Sequence, residues 1–379
     1  MSYSKKYRTY AQISTDNIIH NGTVIKEKFP GKKILAVLKA DAYGHGIENV
    51  LSAYEGFSDY YAVATVEEGL KIREKSDKPV LVFAPVPEEQ ILVAAKSNLT
   101  LTVGSADYAD TLAVILTEAG TTCNCHLKID TGLNRSGIRW RGEDVSLREI
   151  EHIYSYSCLK FTGTYTHFAC GEGQLPWELD FTKMQYDRFL QICNKMKEKD
   201  LPLGLCHCCS TGGALIHPEY QLDMVRLGMM PLGMSYSDKS VSELNLKPAL
   251  TWISHIAQIK EILRDEPVSY GCTFRASKDM RVAMVTCGYA DGYRRVYSNK
   301  SCVLVGGKKV PVIGRIAMDC LMIDITDVDG ADIGAEVILL GSDGINTISA
   351  QELSAYGESV SGEVTCAISK RVPRILAIK

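Results

Sequence analysis

Lys33–Gly46 reads KILAVLKADAYGHG. Ile34–Leu38 is an unbroken apolar run, of the length expected for a strand buried on both faces. Lys39 falls where that strand should stop. Asp41, Tyr43, Gly44, His45 and Gly46 then make a polar, glycine-broken segment that cannot prolong it. An ammonium at the end of a buried strand loses hydration unless it is paired or covalently used. Desolvation lowers its pKa and makes the amine a better nucleophile towards a carbonyl. The plain alternative is a strand-end lysine that snorkels to solvent. The rest of the chain decides between them.

Outward from this stretch, apolar strand-like runs alternate with helix-like ones. Tyr7 to Ile13 reads as a first short strand, and Thr15 and Asp16 are candidate caps for a helix to about Lys28. After Lys39, YAVAT (Tyr61–Thr65) precedes VEEGLKIREK, VLVFA (Val80–Ala84) precedes PEEQILVAAK, and LTLTV (Leu99–Val103) precedes SADYADTLAVILTEAG. CHLKID (Cys125–Asp130), FTGTYTHF (Phe161–Phe168), DFTKMQYDRFLQICNKMKE, LGLCHCC and DMVRLG continue the rhythm. Repeated β-then-α units without long spacers argue a parallel sheet closed as a (β/α)8 barrel of TIM type. An open doubly wound sheet should show G-x-G-x-x-G after its first strand, and no such turn is present. From about Leu244 the rhythm changes to strands separated by Gly, Asp and Pro, with one helix at SAQELSAYGES, capped by Ser349 with Glu352 three residues on. The chain therefore divides into a barrel over 14–243 and a mostly β C-terminal domain over 244–379.

The 379 residues suit two domains, and a formal net charge of -3 suggests neither a nucleic-acid nor a membrane partner. No apolar run reaches the ~18 residues of a transmembrane helix. The start, MSYSKKYRTYAQIS, lacks the apolar core of a secretory signal. An odd count of 13 cysteines reads as reduced thiols in a cytoplasm. Cys123 and Cys125, and Cys206, Cys208 and Cys209 around His207, invite a zinc reading. Neither group has zinc-knuckle spacing, and on a strand Cys208 and Cys209 would face opposite ways. Small buried hydrophobes are the better reading, and no metal is expected.

In a β/α barrel, functional side chains come from the C-terminal ends of several strands. KIDTGLNRSGIR places Lys128 on a strand, Asp130 at its end and Arg135 in the turn, a pattern that also suits a capped turn with a solvated arginine. TYTHFA puts His167 at another strand end. HCCSTGG supplies Ser210 and Thr211, and MVRLGMM supplies Arg226, Gly228 and Met229. In the β region VSYGCTF gives Tyr270, GYADGY gives Tyr289, GRIAMDC gives Arg315, Met318 and Asp319, and AISKRVPR gives Lys370. A tyrosine in a strand is usually core or interface.

The Lys39 stretch closely resembles the pyridoxal-phosphate lysine motif of the alanine racemases, roughly A-V-V-K-A-N-A-Y-G-H-G, with Asp41 where many members have Asn. The other segments resemble that family in order, across essentially the whole chain. The resemblance implies the barrel-plus-β layout, with residues 1–13 joining the β domain, and an amino-acid substrate, alanine. It implies that Lys39 carries pyridoxal 5'-phosphate covalently. The cofactor phosphate would be held by Tyr43, Ser210, Thr211 and the N–H groups of Gly228 and Met229. Arg135 would contact the cofactor ring oxygen and the substrate carboxylate, and Lys128 matches a lysine often carbamylated in relatives. His167 would lie beside the cofactor ring. Arg226 would donate to the pyridine nitrogen and, being a donor only, leave it unprotonated. Racemisation needs a base on each face of the α carbon. Lys39 would serve one enantiomer and Tyr270, from the partner subunit of a head-to-tail homodimer, the other. Tyr289 and Arg315 would line the entrance, Met318 would give its N–H to the substrate carboxylate, and Asp319 would support Tyr270. Lys370 stands where the family motif has a tyrosine that binds the phosphate and walls the entrance. Rival readings are a serine or broad-specificity racemase, a non-catalytic pyridoxal-phosphate carrier and an amino-acid decarboxylase of the same fold. Carriers of that type lack a β domain, which argues against them.

Overall fold

The computed structural model describes residues 6–234 and 238–377. By packing, these fall into two compact units. One comprises Gly22–Ala42 and Leu51–Pro231; the other gathers the chain up to Asn21, Tyr43–Val50 and the chain from Leu232 on.

The first unit is a closed parallel barrel. Its strands run Met224–Leu227, Lys33–Val37, Tyr60–Val63, Val80–Val82, Leu99–Val103, Cys123–Asp130, Leu159–Tyr165 and Leu205–His207 in spatial order. A parallel bridge between Ser210 and Arg226, with the Arg226 N–H on Cys209 O at 3.1 Å, closes the ring. Helices including Val66–Arg73, Glu88–Lys96, Ala106–Glu118 and Pro176–Glu198 separate successive strands. The helix Glu143–Tyr154 occupies a stretch to which the apolar rhythm assigned nothing.

Residues that pair across parallel strands share a face of the sheet. Thr102 pairs with His126, Lys128 with Tyr165 and Tyr165 with His207. These side chains meet inside the barrel: Tyr165 and His207 stack at 4.8 Å, and the Tyr165 hydroxyl lies 3.1 Å from Thr102 Oγ1. Cys123, Cys125, Leu127 and Ile129 take the other face and are buried. The interior is thus polar and aromatic rather than layered with branched aliphatics. Gly163 makes it possible, because a Cβ there would stand 2.5 Å from the His126 ring.

The β unit is a nine-stranded sheet whose long central strand, Leu250–Ile262, shifts register between Trp252 and Ile253 and again between Ile256 and Gln258. Its first half pairs with Glu336–Ser342 and its second with Met280–Val285, both antiparallel. Thr9–Ile13 pairs antiparallel with Leu250–Ser254 and parallel with Arg374–Leu376. The helix beginning at Thr15 starts from a different residue than expected: Ser14, not Thr15 or Asp16, takes an N–H of the first turn, that of Asn17, at 3.2 Å. Ser349 caps Ala350–Tyr356 as read from the sequence, accepting from Glu352 N at 3.0 Å.

Candidate active site

The mouth of the barrel collects the residues singled out on its strands. Lys39 follows Leu38 at the end of the first strand and is exposed in the isolated chain, so the desolvation expected of it does not come from the strand itself. The strand stops at Val37, and Lys39 opens a turn in which Ala40, Asp41, Ala42 and Tyr43 all have left-handed φ of 54°, 53°, 55° and 52°. For residues with a Cβ this conformation costs about 1–2 kcal/mol each. Such a run persists only where its surroundings hold it.

Arg226 is the hub of the interior. Its guanidinium is buried and no carboxylate faces it in its hydrogen bonds: it donates to Thr166 O at 3.0 Å, Cys208 O at 2.8 Å, His207 Nδ1 at 3.0 Å and His167 Nδ1 at 2.9 Å. Arginine donates only, so both imidazoles accept at Nδ1 and carry their protons on Nε2. His207 Nε2 then donates to His126 Nδ1 at 3.1 Å. His126 in turn carries its proton on Nε2, a buried atom without a hydrogen-bond partner. Burial and the neighbouring guanidinium push His126 down to about 3 and His167 to about 2, and hold His207 far below the ordinary range. The three rings are neutral spacers around one buried cation.

Lys128 donates to Ser136 Oγ at 2.5 Å and lies 5.6 Å from the Tyr165 ring centroid. Burial, reinforced by Arg135 and Arg226, brings its amine down to about 8. Asp130 clamps the next loop, accepting from the N–H groups of Gly132, Asn134 and Arg135 at 3.0 Å. The loop presents Arg135 to an open recess of about 370 Å³. At the other side of the mouth Thr211 Oγ1 accepts from Gly228 N at 3.3 Å, and Ser210 precedes it in extended conformation.

The expectation that Cys208 and Cys209 face opposite ways is wrong. The strand ends at His207, so alternation no longer applies, and both thiols donate to Tyr220 O with their sulfurs 3.8 Å apart. Among the described residues no group of three or more His, Cys, Asp or Glu is disposed to hold a metal ion.

The β unit carries the remaining candidates. Tyr270 lies not in a strand but in a one-turn helix, Tyr270–Cys272, at the tip of the hairpin formed by Pro267–Val268 and Phe274–Arg275. The tip is tightly wound, with Ser269, Gly271 and Cys272 at φ of 60°, 69° and 48°, and Ser269 Oγ donates to Arg315 O at 2.5 Å. Tyr270 is 67% exposed, Met318 53% and Tyr289 41%. The Asp319 carboxylate is taken by Arg371 at 2.5 Å. Arg371 also reaches the buried Asp291 at 2.9 Å, which Arg8 contacts from the start of the chain. Lys370 beside this network is exposed. Tyr43 is partly buried, which raises its phenol pKa.

Sequence reasoning missed His126, His207 and Tyr165 as site residues. The signal was there in CNCHLKID, where polar residues occupy alternate positions of an otherwise apolar strand.

An eight-stranded parallel barrel with a lysine at its mouth, carried in one chain with an antiparallel β unit, is the layout that the resemblance implied. Residues 13–236 match the model of the alanine racemase N-terminal domain, and residues 249–376 that of the alanine racemase C-terminal domain. Alanine racemase 2 of Caldanaerobacter subterraneus is 35% identical over 97% of this chain and 94% of its own length. The alanine racemase of Carboxydothermus hydrogenoformans is 36% identical over 97% and 98%. Among solved structures, the alanine racemase of Clostridium difficile superposes with a TM-score of 0.90 at 31% identity, covering 99% of this chain and 97% of that one. A Bacillus anthracis alanine racemase with bound L-Ala-P gives 0.90 at 32%, with the same coverage. The chain belongs to the alanine racemase family.

Proposed function

We propose that the protein interconverts L- and D-alanine with pyridoxal 5'-phosphate held on Lys39, in a homodimer whose sites draw on both subunits. The observation that carries this reading is the Lys39 mouth around a buried Arg226 that donates to two backbone carbonyls and two neutral imidazoles, in a chain matched along both domains by alanine racemases.

The donor set fits the cofactor. Thr211 with Ser210 supplies hydroxyls for a phosphate on one side of the mouth. The N–H groups of Gly228 and Met229, with Tyr43 and Lys370, complete that anion set in the family pattern. When bound, the cofactor draws electrons from the substrate's α carbon and so acidifies its proton. Arg226 offers an N–H to the ring nitrogen and, as a permanent donor, leaves that nitrogen unprotonated, which moderates electron withdrawal. Arg135 matches a carboxylate with its planar fork, and Met318 adds a backbone N–H. The Lys39 amine moves the α proton on one face and the Tyr270 phenol on the other. Neutral His167 holds Arg226 in line from beside that path. Arg315 and Tyr289 line the entrance, and Asp319 with its Arg371 partner steadies the region from which Tyr270 acts.

Exposure of Tyr270, Met318 and Tyr289 on one unit supports a partner subunit as their cover. Among the described residues no helix is long and apolar enough to cross a membrane. The 13 cysteines, all free, support a cytoplasmic protein. Lys370 favours a second reading, a broader side-chain range that includes serine. Purified protein loaded with pyridoxal phosphate is to be given L-alanine, L-serine and other L-amino acids, and D-product assayed. D-alanine should accumulate fastest; no D-product from any of them sinks the reading.

A further inference from the structure

The turn that begins at Lys39 contains no glycine until Gly44, yet four consecutive residues are left-handed. Its N–H groups show what holds it. Ala42 N donates to Leu38 O at 2.8 Å. Asp41 N donates to Glu68 Oε1 at 3.0 Å, and the other oxygen of the same carboxylate, Oε2, accepts from Ala64 N at 3.0 Å. Helix Val66–Arg73 starts at the Thr65 cap, which accepts from the Glu68 N–H at 3.3 Å. One carboxylate therefore joins the end of the second barrel strand to the turn that carries Lys39. A second link, Lys71 to Asp41 at 3.9 Å, is between half-exposed groups and is weak.

We propose that Glu68 is a positioning residue for Lys39: by gripping the Asp41 N–H it holds the left-handed turn and sets where the amine is presented. The inference rests on the reading of Lys39 as cofactor carrier and base. A carboxylate is required because both oxygens must accept; glutamine turns an NH2 donor towards one of the two N–H groups.

The test compares wild type, Glu68→Gln and Thr65→Ala. Thr65→Ala weakens the same helix start without touching the Asp41 N–H. The first readout is the rate at which apo-protein captures pyridoxal phosphate on Lys39, trapped by borohydride and read from the mass of the Lys39 peptide. The second is the α-deuterium isotope effect on each alanine enantiomer. Glu68→Gln should slow capture about tenfold or more. It should also raise the isotope effect for one enantiomer only, because Lys39 serves one face, while Thr65→Ala lowers the melting temperature and changes neither readout. Wild-type capture with unchanged isotope effects in Glu68→Gln overturns the proposal. So does an equal rise for both enantiomers, or the same behaviour in Thr65→Ala. Should Glu68→Gln not fold, Glu68→Asp, with both oxygens a methylene short of the turn, carries the same comparison. A wild type that captures the cofactor but racemises nothing overturns the functional reading alone, since capture still reports on Glu68.

Discussion

Arg226 donates to His207 at Nδ1 from 3.0 Å, which obliges that ring to carry its proton on Nε2 and donate it in a hydrogen bond to His126. Protonating any of the three buried imidazoles would set two donors against each other beside a guanidinium. In the unfolded chain the same histidines titrate near 6.5. Below that pH the unfolded state gains protons that the folded state refuses, so stability falls as pH drops. The loss is up to ~1.4 kcal/mol per pH unit for each histidine, and above pH ~7.5 these groups add no pH dependence. It should level off only near the folded values, about 3 for His126 and about 2 for His167. Urea midpoints at pH 7.5, 6.5 and 5.5 read this directly. A midpoint at 5.5 equal to that at 7.5 would contradict the neutral assignment.

Lys128, with its amine near 8, is about half neutral at pH 8, against about one part in 250 for an ordinary lysine. Carbon dioxide reacts with the neutral amine, so Lys128 is the side chain expected to form a carbamate beside Arg135. Protein equilibrated with 13C-bicarbonate at pH 8 should show a carbamate carbon resonance, absent from Lys128→Gln. The same resonance in both proteins would place the carbamate elsewhere.

A site shared between subunits makes a prediction about mixtures. Lys39→Ala and Tyr270→Phe homodimers should each lose at least ~100-fold of their activity, the usual weight of a positioned acid or base. Co-expressed, they should form mixed dimers in which one of two sites has both residues intact, regaining up to half of wild-type turnover. Mixed dimers that assemble and stay inactive would show that Lys39 and Tyr270 act within one chain.

By the family resemblance, Lys370 puts a flexible cation with three donors where a rigid aromatic wall is expected. Its charge suits a phosphate, so cofactor affinity should hold. Loss of the wall should relax choice by about 1–3 kcal/mol, the usual discrimination of a steric pocket for one small group. Serine should therefore turn over measurably, and Lys370→Tyr should raise the alanine-to-serine ratio of kcat/KM by about 10-fold or more. An unchanged ratio would put Lys370 outside the specificity wall.

Much of this was legible in the chain before its structure. The barrel strands announced themselves as short apolar runs, and LTLTV coincides with Leu99–Val103. Lys39 stood out because it ends an apolar run, whereas Arg226 and Tyr270 stood out only through the family resemblance of the segments around them. What stayed hidden was hidden for physical reasons. The Glu143–Tyr154 helix buries Ser146 with Leu147, Ile150 and Ile153, a narrow stripe that dilutes its periodicity. The Cys208 and Cys209 geometry depends on a strand ending two residues earlier than composition suggests. The left-handed turn after Lys39 has no local signature, because what stabilises it is a carboxylate 27 residues away.

The pairing of Thr9–Ile13 between Leu250–Ser254 and Arg374–Leu376 has a consequence for biosynthesis. Thr9–Ile13 leaves the ribosome some 240 residues before its first neighbour, Leu250–Ser254, and some 360 before its second, Arg374–Leu376. The barrel segments that emerge between them can form local βα contacts as they appear. Meanwhile Thr9–Ile13 is an unpaired apolar edge, the kind of segment that invites aggregation. A newly made chain is most vulnerable not at its longest helix but in the waiting time of Thr9–Ile13.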